Sequence, residues 1–331
     1  MRRLAGFAAV ALVLGLGLLG GAVYLALQPP PSANGETVVE IPRGTALSGV
    51  ADILESAGVI RSAPAFALLA RYQGQAGALR AGEYAFAPNL RAREVLDRLA
   101  AGAVMTHRVV VPEGLRMEEV AARIEAAGLG SAADFLSVAR EPAMAAALGI
   151  PGASLEGYLF PETYELAKGI PASEIARLMV DHFFAVWRGV EPQARARGLS
   201  MHEVVVLASL VEKETAAAHE RPLVAAVFLN RLERQMRLET DPAVIYGIAD
   251  FDGNLRRAHL LDVTNPYNTY QHAGLPPGPI ASPGAAALSA VVDPAEADYL
   301  YFVARKDGTH QFSRSYGEHL RAVNRFQRNG H

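Results

Sequence analysis

The 331-residue sequence predicts an α+β protein in three parts: an apolar N-terminal helix, a small region of strands and helices, and a larger mixed region. Three observations predict it. Residues 4–27 carry no charge, a strand-turn-helix pattern recurs at an offset of 70 residues, and beyond about residue 130 helical stretches give way to a turn-rich tract. A chain of this length is expected to hold roughly two domains plus an appendage. The boundaries follow: cytoplasmic tip and anchor 1–28, linker 29–35, repeat-bearing α+β module or modules 36–130, and a mixed α+β domain 131–331.

The first element is the run Leu4–Leu27, long enough at 1.5 Å per residue to cross a hydrocarbon core of about 30 Å. It exceeds the 7–15 apolar residues of a cleaved signal peptide, so an uncleaved transmembrane helix is expected. Arg2 and Arg3 precede it, and no charge follows before Glu36. The positive-inside bias therefore sets the N-terminus in the cytoplasm and the rest of the chain outside.

Next come the repeats. Ile41-Pro42-x-Gly44, Val50-Ala51, Glu55 and Ala57-Gly58 recur as Val111-Pro112-x-Gly114, Val120-Ala121, Glu125 and Ala127-Gly128. Each copy has a β-branched run, a Pro-x-Gly turn, an amphipathic helix and a glycine at the C-cap position. A looser third copy, Pro88–Gly102, follows the strand-like Gly82–Phe86. None of the copies clusters catalytic residue types.

In the remainder, helices are expected near 131–148, 172–189 and 200–234. The tract 240–284, rich in Pro and Gly but also in Tyr and Asn, reads as an ordered functional loop. A strand at Tyr299–Ala304, a Lys306-Asp307-Gly308 turn, a strand at His310–Ser313 and a helix from about Tyr316 close the chain.

Composition narrows the chemistry. With 31 Lys and Arg against 34 Asp and Glu, no basic field exists to hold a polyanion, which excludes nucleic acid as a partner. The absence of Cys removes thiolate nucleophiles and zinc-thiolate clusters together. His202-Glu203 lacks the second His of the helical zinc motif, and Ser209 has Lys213 at the wrong spacing for Ser-x-x-Lys. The other histidines, His219, His259, His272, His310 and His319, are scattered among loops and turns and are expected to be solvated or hydrogen-bonded. Carboxylate chemistry remains.

Among the carboxylates Glu214 stands out. On a helix at 100° per residue, Val204, Leu207, Leu210, Val211 and Glu214 fall within roughly 60° of Leu207, whereas Glu212 lies about 140° away. A carboxyl on an apolar stripe has its charged form disfavoured and can hold a proton near neutral pH, as a general acid must. The structural alternative makes Glu214 an ion-pair partner of Arg221 or Arg237 where the helix leaves the core.

Several blocks carry a resemblance: Leu155–Tyr164, Ala208–Thr215, Val227–Leu232, Met236–Pro242 with Ile245–Gly247, Pro266–Tyr270, and Gly274–Ile280 with Ser282–Gly284. In this order, across about 150 residues, the sequence resembles the YceG-like family of endolytic murein transglycosylases. The resemblance implies a single-pass inner-membrane enzyme with a LysM-like glycan-binding N-terminal portion and a periplasmic catalytic domain. It would cut nascent peptidoglycan strands internally between MurNAc and GlcNAc, leave 1,6-anhydro-MurNAc ends, and work alongside peptidoglycan synthases. The family's catalytic Glu is the second of the Glu-Lys-Glu-Thr block, Glu214 here. By the same resemblance Glu156, Asn230, Asp241, Tyr246 and Asn268 are nominated as glycan-groove residues, each with a plain structural alternative as cap, backbone hydrogen-bonder or core residue. Glu162 and Glu239 stand where the family usually has Asp and Gln.

Ordinary glycosidases use two carboxyl groups, but the implied reaction can be carried by one. Glu214 would protonate the glycosidic oxygen and then take the proton of the muramyl C6 hydroxyl as that oxygen attacks C1 of the same sugar. No metal or cofactor is expected. Two other classes of function remain: a membrane-tethered peptidoglycan-binding scaffold without catalysis, and a hydrolase pairing Glu214 with Glu156 or Asp241.

Overall fold

The computed structural model describes residues 2–31 and 35–328, without the side chains of residues 2–11 and 328. The chain divides into two compact units, Met1–His107 with Glu165–Ile170, and Arg108–Tyr164 with Pro171–His331.

The smaller unit begins with helix α1 (Arg2–Ala26). The expected membrane span falls partly on side chains outside the described residues, as the expected linker does on 32–34. Among the described residues no helix is long and apolar enough to cross a membrane. From residue 12 onward α1 nevertheless leaves its large apolar side chains exposed, Leu12, Leu14, Leu16 and Leu18 among them.

Strand β1 (Thr37–Ile41) is followed by α2 (Leu47–Ser56), α3 (Ala63–Tyr72), β2 (Gly82–Phe86) and α4 (Ala92–Ala101). β1 and β2 pair antiparallel, with Thr37 opposite Phe86 and Ile41 opposite Gly82. Alternation puts Val39, Ile41, Tyr84 and Phe86 on one face, where they meet Val50 and Leu54 of α2, Phe66 of α3 and Leu96 and Leu99 of α4 in one core. At the ends of the matching helices Gly58 and Gly128 both take left-handed φ, +71° and +72°, a conformation that costs glycine nothing.

β3 (Thr106–Val110) pairs with β4 (Thr163–Ala167), and the division between the units runs through both strands. The second strand-turn-helix copy therefore does not stay with the first. Its helix α5 (Met117–Ala126) belongs to the larger unit, where it packs on α6 (Ala132–Ala139). The expected helix 131–148 is two: α7 (Pro142–Ala147) starts anew because Pro142 occupies a first-turn position.

Beyond α8 (Ala172–Ala196), whose C-terminal turns contain Pro192, the expected helix 200–234 is interrupted. α9 (Met201–Glu214) stops at Glu214, and α10 (Arg221–Glu233) starts after a 3₁₀ turn, with Pro222 in its first turn. α9 is wrapped rather than striped, with every residue from Val204 to Val211 buried, and its neighbours are α8, α10, α13 (Ala285–Val292) and the short helix Asp241–Tyr246. Between α10 and α13 lie the short helices α11 (Asp241–Tyr246) and α12 (Arg257–Leu261). β5 (Tyr301–Ala304) and β6 (His310–Ser313) form the expected hairpin, Ala304 opposite His310, and α14 (Tyr316–Val323) follows.

Candidate active site

Glu214 owes its place to the way α9 ends. The helix opens with a capping box, Ser200 accepting from the Glu203 N–H while the Glu203 carboxylate accepts from the Ser200 N–H. It closes at Thr215, which is extended at φ −139° and ψ 131°. The Thr215 hydroxyl accepts from the Ala217 N–H at 3.1 Å and donates to Glu220 at 3.2 Å, so the chain turns away from the helix with its side chain satisfied. Glu214 is thus a terminal, half-buried residue.

The ion-pair alternative is filled by other groups. Arg221 pairs with Glu212 at 2.9 Å, and Glu212 also accepts from the Gly284 N–H at 3.0 Å. Arg237 donates to the Tyr270 carbonyl at 2.9 Å. Glu214 instead accepts a short hydrogen bond from the Thr240 hydroxyl. That hydroxyl is held in place from the backbone: Thr240 N–H donates to Thr269 Oγ1 at 2.9 Å, and Thr269 Oγ1 donates back to the Thr240 carbonyl at 3.2 Å. The preceding Glu239 takes φ +51°, unusual for a residue with a side chain, and its carboxylate meets Arg231 at 3.2 Å.

Glu214 opens on a cleft of about 380 Å³ that is also lined by Arg231, Glu239, Asp241, Tyr270 and His310. Burial among protein atoms pushes the Glu214 carboxyl up to about 7, and the Asp241 charge adds to the rise. The Thr240 hydrogen bond, His310 and Arg231 pull the other way. A carboxyl poised there is protonated in a large fraction of molecules at neutral pH and can give that proton up, the requirement for a general acid.

The nominated groove residues separate into groups. Asp241 shares the Glu214 cleft; it is exposed, and its Oδ1 accepts from the Tyr270 hydroxyl at 2.7 Å. Glu156 lies elsewhere, 4% exposed, and accepts from the Met117 N–H at 3.2 Å and from the Tyr246 hydroxyl at 3.2 Å. Burial raises its carboxyl to about 7 as well. Tyr246 stands edge-on to Tyr267, has the Arg116 guanidinium 5.0 Å from its ring centroid, and lines a second cavity of about 850 Å³.

Asn230 spends its amide on the Ala297 and Tyr299 carbonyls at 2.7 and 3.0 Å and faces a third cavity. Asn268, fully buried, donates to the His259 and Asp262 carbonyls and accepts from the Tyr270 N–H, which fixes the 259–270 loop. The structure thus brings Asp241 to Glu214, sets Glu156 and Tyr246 together at another place, and gives both asparagines to backbone carbonyls.

The cleft also holds residues that sequence reasoning passed over. His310, expected to be a loop or turn histidine, is 12% exposed and bonded through Nδ1 to Glu220 at 2.7 Å. Arg231 and Tyr270 stood within the Val227–Leu232 and Pro266–Tyr270 blocks but were not singled out. Thr240 likewise stood beside Asp241 in the Glu-Thr-Asp-Pro block. Among the described residues no group of His, Asp and Glu side chains is arranged to hold a metal ion.

Comparison with known proteins decides the family, because the YceG-like family model matches residues 39–325. The chain belongs to the YceG-like family. It is 30% identical to an endolytic murein transglycosylase of Bacillus subtilis (strain 168), the match covering 93% of this chain and 91% of that protein. An endolytic murein transglycosylase of Streptococcus pneumoniae serotype 2 is 28% identical over 89% of this chain, and the chain spans 59% of that longer relative. The crystal structure of a putative YceG-like protein from Listeria monocytogenes superposes with a TM-score of 0.60 at 31% identity, covering 87% of this chain and 99% of that one.

Proposed function

We propose that this YceG-like chain is a lytic transglycosylase acting on peptidoglycan, a lyase that cuts glycan strands internally between MurNAc and GlcNAc and leaves 1,6-anhydro-MurNAc ends. The observation that carries the reading is Glu214: a helix-terminal carboxyl with a pKa of about 7, hydrogen-bonded by Thr240 and open to a cleft. The relatives named endolytic murein transglycosylase support the reaction class. With a strand in the cleft, protonated Glu214 gives its proton to the glycosidic oxygen as the C1–O bond breaks. The muramyl C6 oxygen then closes on C1 as the Glu214 carboxylate takes its proton, and because that nucleophile belongs to the same sugar its effective concentration is high. Arg231 and His310 favour the carboxylate left behind.

The anchor, the location and the smaller unit belong to the same proposal. Residues 4–27 hold the protein in the inner membrane by a single pass, with the catalytic part in the periplasm, next to nascent strands and the synthases that make them. The exposed apolar side chains of α1 from Leu12 onward suit a lipid surrounding. The domains are assigned accordingly: 36–130 as LysM-like glycan-binding modules and 131–331 as the catalytic domain.

The test is a digest of sacculi by wild type and by Glu214→Gln. Anhydro-muropeptides are expected from the first and not from the second, at an unchanged melting temperature. Anhydro ends produced at the wild-type rate by Glu214→Gln would refute the assignment of the acid. A reducing-end product carrying oxygen from labelled water would identify a hydrolase instead, and the lack of any cleaved product would leave the scaffold.

A further inference from the structure

The proposed reaction moves two protons, and the cleft holds two groups built to move them. We infer that His310, oriented by Glu220, is a second catalytic residue: the base that accepts the proton of the muramyl C6 hydroxyl while Glu214 serves as the acid. The inference rests on the lytic reading given above and divides between two side chains what one carboxyl would otherwise do in turn.

The geometry of Glu220 comes first. Its carboxylate is buried and accepts three hydrogen bonds: from the His310 backbone N–H at 2.8 Å, from the His310 ring Nδ1 at 2.7 Å, and from the Thr215 hydroxyl at 3.2 Å. Burial pushes this carboxyl up, but the two hydrogen bonds from His310 and the one from the Thr215 hydroxyl lie on the other side, and the balance brings it below its ordinary value. An ionised carboxylate only accepts, so the bridging proton belongs to His310 Nδ1. In the neutral imidazole that leaves Nε2 as the bare, basic nitrogen. His310 lines the same cleft as Glu214. The ring is further held edge-on by Phe302 at 5.4 Å. A base whose far nitrogen is fixed by a buried carboxylate is the arrangement by which an imidazole is made to take a proton from a hydroxyl.

Glu214 itself leaves room for a partner. One of its oxygens is already engaged by the Thr240 hydroxyl. In the cycle, the Glu214 proton goes to the departing glycosidic oxygen, C1–O breaks, the C6 oxygen bonds to C1, and its proton passes to His310 Nε2. Solvent then returns the proton from the imidazolium to the Glu214 carboxylate, and no group is consumed. Thr215 ties the two halves together, since it follows Glu214 in the chain and bonds to the carboxylate that holds His310.

The test measures anhydro-end formation from uncross-linked glycan strands by the full chain. His310→Ala is expected to lower kcat by about 100-fold or more, the usual worth of a general base, and added imidazole is expected to restore the rate in proportion to its concentration. Full activity in a folded His310→Ala protein overturns the inference, and so does a loss that imidazole leaves untouched, which marks a packing role. Glu220→Gln keeps the ring but not its carboxylate, so kcat is expected to fall with KM unchanged; a wild-type rate there also overturns it. The Glu214→Gln control separates the two readings, because activity surviving in that variant refutes the acid rather than the base. The rate is followed against pH as well, with Glu214, Arg231, Glu239, Asp241, Tyr270 and His319 as the other charged or titratable groups of the cleft.

Discussion

Glu214 and Glu156 are the same side chain raised to the same pKa of about 7 by the same leading cause, burial, yet their surroundings are opposite. Glu156 turns its carboxyl inward to the first backbone N–H of α5 and to the Tyr246 hydroxyl, so its oxygens are occupied by the protein. Glu214 sits at the end of its helix with one oxygen tied to Thr240 and opens on a cleft that is also lined by the imidazoles of His310 and His319, the Arg231 guanidinium and the carboxylates of Glu239 and Asp241. A raised pKa marks a carboxyl that the protein has desolvated. What that carboxyl does depends on whether its proton has somewhere to go.

The sharpest way to break this comparison is to make both isosteric replacements. Glu214→Gln is expected to lose at least about 100-fold in kcat, while Glu156→Gln retains a rate within a few-fold of wild type per folded molecule. Equal losses in the two variants, measured on purified glycan strands, would put Glu156 back in the groove.

The next largest effect is on stability. Truncation by Glu156→Ala leaves the Met117 N–H unpaired in the interior, a cost of about 1–3 kcal/mol in urea unfolding, without a change in KM. The pH dependence has a definite sign. The folded carboxyl binds its proton up to about pH 7, whereas the ordinary value is 4.5, so the native state holds more protons in that interval. The stabilisation is complete below 4.5 and is lost as the pH rises toward 7. Glu156→Gln is expected to flatten this slope, and Glu214→Gln to flatten its own contribution. A slope unchanged in both variants would show that neither carboxyl is protonated in the folded protein.

The smallest effect sharpens the Glu156 side alone. Tyr246→Phe removes one hydrogen bond and keeps the ring under Arg116, so a loss of about 1 kcal/mol is expected. The melting temperature falls slightly and kcat is unaffected; a large drop in kcat would mean that the hydroxyl meets glycan.

Local signals carried much of the fold. Strands β1, β2 and β3, the Pro-x-Gly turns, the α2 and α5 helices and the C-terminal hairpin follow from periodicity and turn residues, whereas β4 had no such signal. The break after Glu214 did not, because Thr-Ala-Ala-Ala reads as helix and only Pro222, seven residues beyond Thr215, hints at a new start. The helical wheel singled out Glu214 by its place on an apolar stripe, but α9 is buried all round. Its properties come from the helix end and from the Thr240 loop. His310 could be read as a strand residue but not as a member of the cleft: its carboxylate partner lies 90 residues away in the chain.

The sequence by itself determined the family, the reaction class that follows from it, the residue expected to be the acid, and the absence of cysteine chemistry, since all of these reside in residue types and short spacings. Only the tertiary structure decided which nominated residues meet in one cleft, because helices, strands and loops far apart in the chain, from Glu214 to Gln327, supply its walls. It also decided that Asn230 and Asn268 go to backbone carbonyls. A buried amide bonds to whatever chain folding brings within 3 Å, and no local pattern encodes that choice.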